Sequence, residues 1–185
     1  MTAVDSDCGN EKLKPTALEL NMTSEKKRNS LLPSDIIVPK EKAVFWLDAN
    51  GSWHNKSGRF RHKKISDYFH AAIRKDEGGF FLYQDRGDVT EKVYFPFEDT
   101  ALFVIEVDLG DEVNLVLNTG ERVLLDPKRL FIQNDNLYVT LDGDRVKFTE
   151  RSLLKISNLL DIKNDDYFIS LNGQKHKLES GGIGE

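Results

Sequence analysis

Short apolar runs separated by Asn, Asp and Gly dominate the middle of the chain, and most carry the two-residue period of a half-buried strand. Residues 44–47 are stopped by the turn sequence Asp48-Ala49-Asn50-Gly51. Residues 53–60 read as an extended piece broken by Ser57-Gly58. Residues 80–83 and 92–97 are further strands, the second interrupted by Pro96, which suits an edge or a bulge. In 103–109 the apolar positions 103, 105, 107 and 109 fall on one face, and Glu106 and Asp108 on the other. Residues 113–117 alternate too, and Asn118-Thr119-Gly120-Glu121 turns them into 122–125, closed by Asp126-Pro127. Residues 137–140 and 145–148 form a hairpin across Asp142-Gly143. Residues 167–171 and 174–178 form another across Asn172-Gly173, a pair that tolerates the left-handed backbone of a type I′ turn.

Two stretches carry the helical period instead. Residues 65–73 place Ile65, Tyr68, Phe69, Ala72 and Ile73 on one face, with Gly78-Gly79 as the stop. Thr149 is an N-cap for a helix over 150–160 whose Leu153, Leu154, Ser157 and Leu160 point inward. The order strand, turn, strand, helix, strand, strand therefore occurs twice. Trp53 and Gly58 stand 85 positions before Tyr138 and Gly143, and Phe60 stands 86 before Val146. Tyr68, Ile73, Phe81 and Leu82 then fall on Leu154, Leu159, Tyr167 and Phe168. The pattern predicts an α+β fold of duplicated strand-helix-strand units on antiparallel sheets. The expected halves are residues 41–100 and 101–179. A pseudo-symmetric seam of that kind is a frequent ligand position.

Composition narrows this picture. The 11 Phe, 5 Tyr and 2 Trp all lie between Phe45 and Phe168. Residues 1–40 have no aromatic residue and read as a mostly disordered arm, which buries too little apolar area to offset its ordering entropy. Ile36-Ile37-Val38-Pro39 is expected to dock where the arm enters the domain, and residues 180–185 read as a flexible tail. The 26 Lys and Arg against 31 Asp and Glu leave a net charge of −5, a poor balance for general nucleic-acid binding. Cys8 is the one cysteine, so neither an intramolecular disulfide nor an all-cysteine metal site can form. No apolar run approaches the ~20 residues of a membrane span. The start carries Asp5, Asp7 and Glu11 where a secretory signal is apolar. A cytoplasmic protein without membrane insertion is expected.

Two charged clusters are candidates for chemistry. Lys56, Arg59, Arg61, Lys63 and Lys64, with His62 among them and no acid, run along a strand into the first helix. They read either as a phosphate or nucleotide site, aided by the helix N-terminus, or as a solvated surface run. Trp53 is close in sequence, either to stack on a base or to fill the core. Glu98, Asp99, Glu106, Asp108, Asp111 and Glu112 occur with no Lys or Arg between Val93 and Gly120. They read as a cation site, as a carboxylate pair for acid–base work, or as the polar face of a strand. Glu98-Asp99-Thr100 stands apart because it follows Pro96 at an irregular join. The four histidines, 54, 62, 70 and 176, have no metal-ligand spacing. No P-loop, dinucleotide glycine pattern, Gly-x-Ser-x-Gly or Cys-x-x-Cys occurs.

The chain resembles a bacterial family catalogued as a domain of unknown function. The resemblance rests on Asn50-Gly51-Ser52-Trp53, Gly78-Gly79-Phe80, Val89-Thr90-Glu91-Lys92 and Phe97-Glu98-Asp99-Thr100-Ala101, in an order and spacing that span most of residues 45–178. It implies a duplicated α+β fold whose second half is a pleckstrin-homology-like barrel, a nucleotide-like ligand at the domain interface and a role in signalling. The combined expectation is a non-enzymatic binding module without a cofactor. Arg61, Lys63 and Lys64 would neutralise a small anionic ligand, Trp53 would stack on it, and Glu91, Lys92, Glu98 and Asp99 would shape the seam. The alternatives are a metal-assisted hydrolase using Glu98 or Asp99, and a protein-interaction domain using strand edges.

Overall fold

The computed structural model describes residues 34–87 and 89–180, so the expected arm lies outside them only up to residue 33 and the tail from residue 181. Within the expected arm Ser34–Val38 is a paired strand, and Ser180 of the expected tail ends the paired strand Glu179–Ser180. Two sheets build the first part. Strands β1 (Ser34–Val38), β5 (Ile73–Asp76), β6 (Gly79–Asp85) and β7 (Val89–Tyr94) lie in the order β1-β7-β6-β5. The β1–β7 pair is parallel and the others antiparallel. β2 (Phe45–Leu47), β3 (Trp53–Asn55) and β4 (Gly58–Arg59) form a small antiparallel sheet, and α1 (Lys63–Ala71) leads from β4 to β5. At nine residues α1 is too short to be stable alone. Its Phe69 is held edge-on by Phe45, Trp53 and Phe60, at ring-centroid distances of 5.1, 5.4 and 5.4 Å.

The second part is a seven-stranded sheet in the order β10-β9-β8-β13-β12-β11-β17. Its strands are β8 (Leu102–Leu109), β9 (Val113–Leu117), β10 (Arg122–Leu124), β11 (Leu130–Gln133), β12 (Asn136–Leu141), β13 (Asp144–Phe148) and β17 (Glu179–Ser180). Only the β8–β13 and β11–β17 pairs are parallel. β14 (Leu160–Lys163), β15 (Asp166–Leu171) and β16 (Gln174–Lys177) make a further antiparallel sheet. α2 (Glu150–Ile156) follows β13, and the Thr149 side chain caps it by accepting from Ser152 N. The fold is α+β and mainly β, with antiparallel pairing predominant.

There are two hydrophobic cores. The first contains Phe45, Leu47, Trp53, Ile73, Leu82, Val93, Phe95, Ala101 and Phe103. The second contains Val104, Val107, Leu115, Leu117, Val139, Val146, Phe148, Ile156 and Ile169, among others. They meet on β8, where Phe103 enters the first and Val104 the second. Successive strand side chains point to opposite faces, so one strand serves both.

Several elements differ from the sequence pattern. The first helix ends at Ala71, and Ile73–Asp76 is a strand paired with β6, so Gly78-Gly79 belongs to a hairpin and does not stop the helix. The second helix ends at Ile156. Leu160–Lys163 forms β14, turned into β15 by Asn164 and Asp165 at φ 53° and 65°. The buried residues of α2 are Ser152 and Ile156, while Leu154 is 74% exposed. The expected 103/105/107/109 face of β8 is broken by a bulge between Val104 and Glu106, which leaves Val104 and Val107 inside and Ile105 and Leu109 exposed. β7 ends at Tyr94, so Pro96 lies beyond the strand.

Candidate functional site

The β2–β3 turn organises the region around Trp53. Asp48 accepts from the backbone N–H groups of Asn50 and Ser52 at 2.9 and 2.7 Å, and its second oxygen meets His54 Nε2 at 2.9 Å. Burial pushes the Asp48 carboxyl up, but the Ser52, His54 and Asn50 hydrogen bonds outweigh it and hold the group below its ordinary value. The turn brings Gly51 to φ 77° against the face of Phe103, where a Cβ would stand 3.1 Å from the ring. Any side chain there is strained by the left-handed backbone and presses on the ring, and the position fixes the approach of β8 to the first core.

His70, near the end of α1, locks the same contact. It hydrogen-bonds the Gly51 backbone, and its Nδ1 lies 3.0 Å from Asn118 Nδ2 in the β9–β10 turn. The Asn118 amide also donates to Ala101 O at 3.1 Å and accepts from Phe103 N at 3.0 Å. Burial drives the His70 imidazole down to about 4. The ring is therefore neutral at neutral pH, with Nδ1 accepting from Asn118.

Beside this latch lies a cleft of about 1040 Å³ walled from both parts of the molecule. One wall carries Trp53, Arg59, Phe60, Arg61, Lys63 and His70; the other carries Ile105, Glu106, Asn118, Thr119 and Arg151. Lys63 is paired with Asp67 at 2.6 Å, and Arg151 with Glu106 at 3.1 Å. Arg59 and Arg61 have no carboxylate partner among the described residues. The cleft therefore presents two uncompensated guanidiniums over a mostly apolar floor.

Of the expected site residues, Trp53, Arg61 and Lys63 come together at this cleft. Lys64 is exposed on α1 and is not part of the lining. Stacking on a base needs an open ring face, and Trp53 has none. It is 1% exposed and enclosed by Phe45, Phe69, Phe95 and His70, at centroid distances of 5.7, 5.4, 4.8 and 5.7 Å. Glu91 and Lys92 lie on β7, away from the cleft; Glu91 pairs with Arg86 at 3.1 Å, and the Lys92 ammonium sits over the Phe81 ring. Glu98 accepts from Ala49 N at 3.0 Å. Asp99 binds Arg145 at 2.6 Å and Lys147 at 3.0 Å, and accepts from Tyr138 Oη at 2.8 Å. Both Asp99 oxygens are thus engaged in joining Asp99 to β12 and β13. Burial, with the Asp99 carboxylate, pushes the Tyr138 phenol up to about 12. No group of three or more His, Cys, Asp or Glu converges as a metal site among the described residues. No helix among them is long and apolar enough to cross a membrane.

The residues not anticipated as site members are Arg59, His70, Asn118, Thr119 and Arg151. Arg59 belongs to the basic run that was visible in the sequence. The others come from a helix end, a hairpin turn and α2, and only the tertiary fold brings them to the same wall.

A mainly-β α+β fold with two cores sharing one strand, and a basic cleft between them, defines the class of molecule. A DUF1285 family protein from Silicibacter pomeroyi DSS-3 shares this fold, with TM-score 0.53 and 14% identity over 82% of this chain and 85% of that one. A DUF1285 family protein from Shewanella baltica OS155 aligns with TM-score 0.46 and 18% identity over 64% of this chain and 94% of that one. These structural neighbours come from a bacterial domain-of-unknown-function family, the kind of family that the sequence motifs resemble. At 14% identity the likeness to the Silicibacter pomeroyi protein is one of fold. No protein-family model and no curated protein matches the chain.

Proposed function

We propose that the protein is a non-enzymatic cytoplasmic binding module that takes a small anionic, nucleotide-like ligand in the cleft between its halves, in a signalling or stress role. The halves are residues 41–100 and 101–179. Their matching order of hairpin, helix and hairpin supports an origin by duplication, and on the sequence resemblance the second is a pleckstrin-homology-like barrel. The observation that carries the reading is the pair Arg59 and Arg61, two guanidiniums without a carboxylate partner among the described residues, on the wall of a cleft built from both halves. A guanidinium left unpaired beside apolar surface favours an incoming phosphate or carboxylate, which it binds in a fork. Lys63 and Arg151 add charge once their own carboxylates are displaced. Glu98 and Asp99 act in this reading as the joint that holds the two walls in register.

Thermal unfolding with added AMP or inorganic phosphate tests this. Either should raise the melting temperature, and the rise should shrink in high salt as the charges are screened. The double substitution Arg59→Gln with Arg61→Gln should remove the rise while leaving the unliganded protein folded. An equal rise in the double variant, or no rise with either anion, overturns the proposal.

A further inference from the structure

Among the described residues, two buried side-chain polar atoms have no hydrogen-bond partner, Trp53 Nε1 and Thr119 Oγ1. Both belong to residues that line the same cleft, one from each wall. Buried polar groups are nearly always paired, because an unmade hydrogen bond costs the full desolvation of the group. Two such atoms at one cleft, and no others among the described residues, mark a place where a partner belongs. The chemistry of the pair is specific. An indole N–H only donates, and a threonine hydroxyl can donate to the same acceptor or to a neighbouring one. The same cleft also carries the apolar side chains of Phe60, Ala71 and Ile105. Ile105 is an exposed apolar side chain that the β8 bulge turns out of the core and toward the cleft.

We infer that the cleft is built for an amphiphilic organic anion, with its acid group on Arg59 and Arg61, a flat apolar body against Phe60 and Ile105, and a neutral hydrogen-bond acceptor at its inner end received by Trp53 Nε1 and Thr119 Oγ1. The inference rests on the anion-binding reading and adds the body and the inner acceptor to it. Neither polar atom touches solvent in the unliganded protein, and Thr119 stands next to the exposed Gly120 at the edge of the cleft.

Four phosphates of similar charge separate the parts: inorganic phosphate, ribose 5-phosphate, phenyl phosphate and 4-nitrophenyl phosphate. At equal concentration, phenyl phosphate should raise the melting temperature more than ribose 5-phosphate, and 4-nitrophenyl phosphate, whose nitro oxygens accept hydrogen bonds, should raise it most. Trp53→Phe and Thr119→Val should each weaken 4-nitrophenyl phosphate by about tenfold, the effect of one lost hydrogen bond, and leave phenyl phosphate unchanged. Thr119→Val keeps the side-chain shape and carries the test alone if Trp53→Phe does not fold. Equal rises with all four phosphates, abolished by Arg59→Gln with Arg61→Gln, would overturn the amphiphile and keep the anion site. An unchanged 4-nitrophenyl preference in both single variants would overturn the inner acceptor. No rise with any of the four would overturn both readings.

Discussion

His70 is held neutral because it sits between two walls that offer it hydrogen bonds and little water. Asp67 favours its charged form and Lys63 opposes it, but desolvation is the largest influence and brings the group from 6.5 down to about 4. In the unfolded chain the imidazole takes up a proton near 6.5, and in the folded protein it does not until about 4. Its stabilising contribution is therefore complete above pH 6.5 and is lost as pH falls through that window, by up to about 3 kcal/mol. Denaturant unfolding at pH 7.5 and pH 5 should show this fall in the native protein, and His70→Gln, which cannot titrate, should show a smaller one. An equal fall in both would place the sensitivity on other groups. Gly51 is the second residue whose identity is dictated by its place. A side chain there meets both a left-handed backbone and the Phe103 ring at 3.1 Å. Gly51→Ala should cost about 2 kcal/mol or more, read from the denaturation midpoint. A cost below half of that would mean that the ring gives way easily.

At the scale of elements, four hairpins turn through two consecutive left-handed residues: Asn134-Asp135, Asp142-Gly143, Asn164-Asp165 and Asn172-Gly173. This backbone matches the right-handed twist of the strands it joins. The open surroundings of Gly173 isolate the backbone effect, since a Cβ there meets nothing within 4 Å. Gly173→Ala should lower stability by about 1 kcal/mol, and Gly173→Asn by clearly less, because Asn tolerates positive φ. Equal costs would show that the lost flexibility of the chain, not the sign of φ, controls the turn. The same turns explain what could be read from the sequence. The two with glycine stand out in a polar stretch, and their hairpins are legible there. Asn134-Asp135 and Asn164-Asp165 carry no glycine, so β11 is invisible and β14 reads as the end of a helix. The register of β8 is hidden for another reason. Alternation locates the strand, but a bulge is set by pairing with β9, which a single strand does not encode. The cleft is legible only in part. The basic run is continuous in sequence and was visible, whereas Asn118, Thr119 and Arg151 lie in unremarkable turn and helix sequence until β8 folds them against α1.

For the whole molecule the question is whether two cores make one cooperative unit. β8 contributes Phe103 to the first and Val104 to the second, and the polar joint adds to this coupling. Asp99 holds Arg145, Lys147 and Tyr138, and Lys147, 8% exposed, also donates to Ala49 O at 2.9 Å. The joint thus connects the β2–β3 turn to β13 through groups that have few alternatives to one another. Both tryptophans, Trp46 and Trp53, lie in the β2–β3 hairpin, so indole fluorescence reports the first core. Far-ultraviolet circular dichroism is weighted toward the larger sheet of the second. If the cores fold as one unit, the two signals should give a single coincident transition in denaturant. Asp99→Ala leaves Lys147 as a nearly buried cation without its carboxylate and should cost about 3–5 kcal/mol, the range for breaking a buried ion pair. Tyr138→Phe removes one hydrogen bond from the same carboxylate and should cost about 1 kcal/mol. In Asp99→Ala the fluorescence transition should move ahead of the dichroism transition, because the smaller first core depends on the joint for its contact with β13. Two separate transitions in the native protein would mean that β8 does not couple the cores. Coincident transitions in Asp99→Ala, at unchanged midpoint, would mean that Phe103 and Gly51 hold them together without the joint.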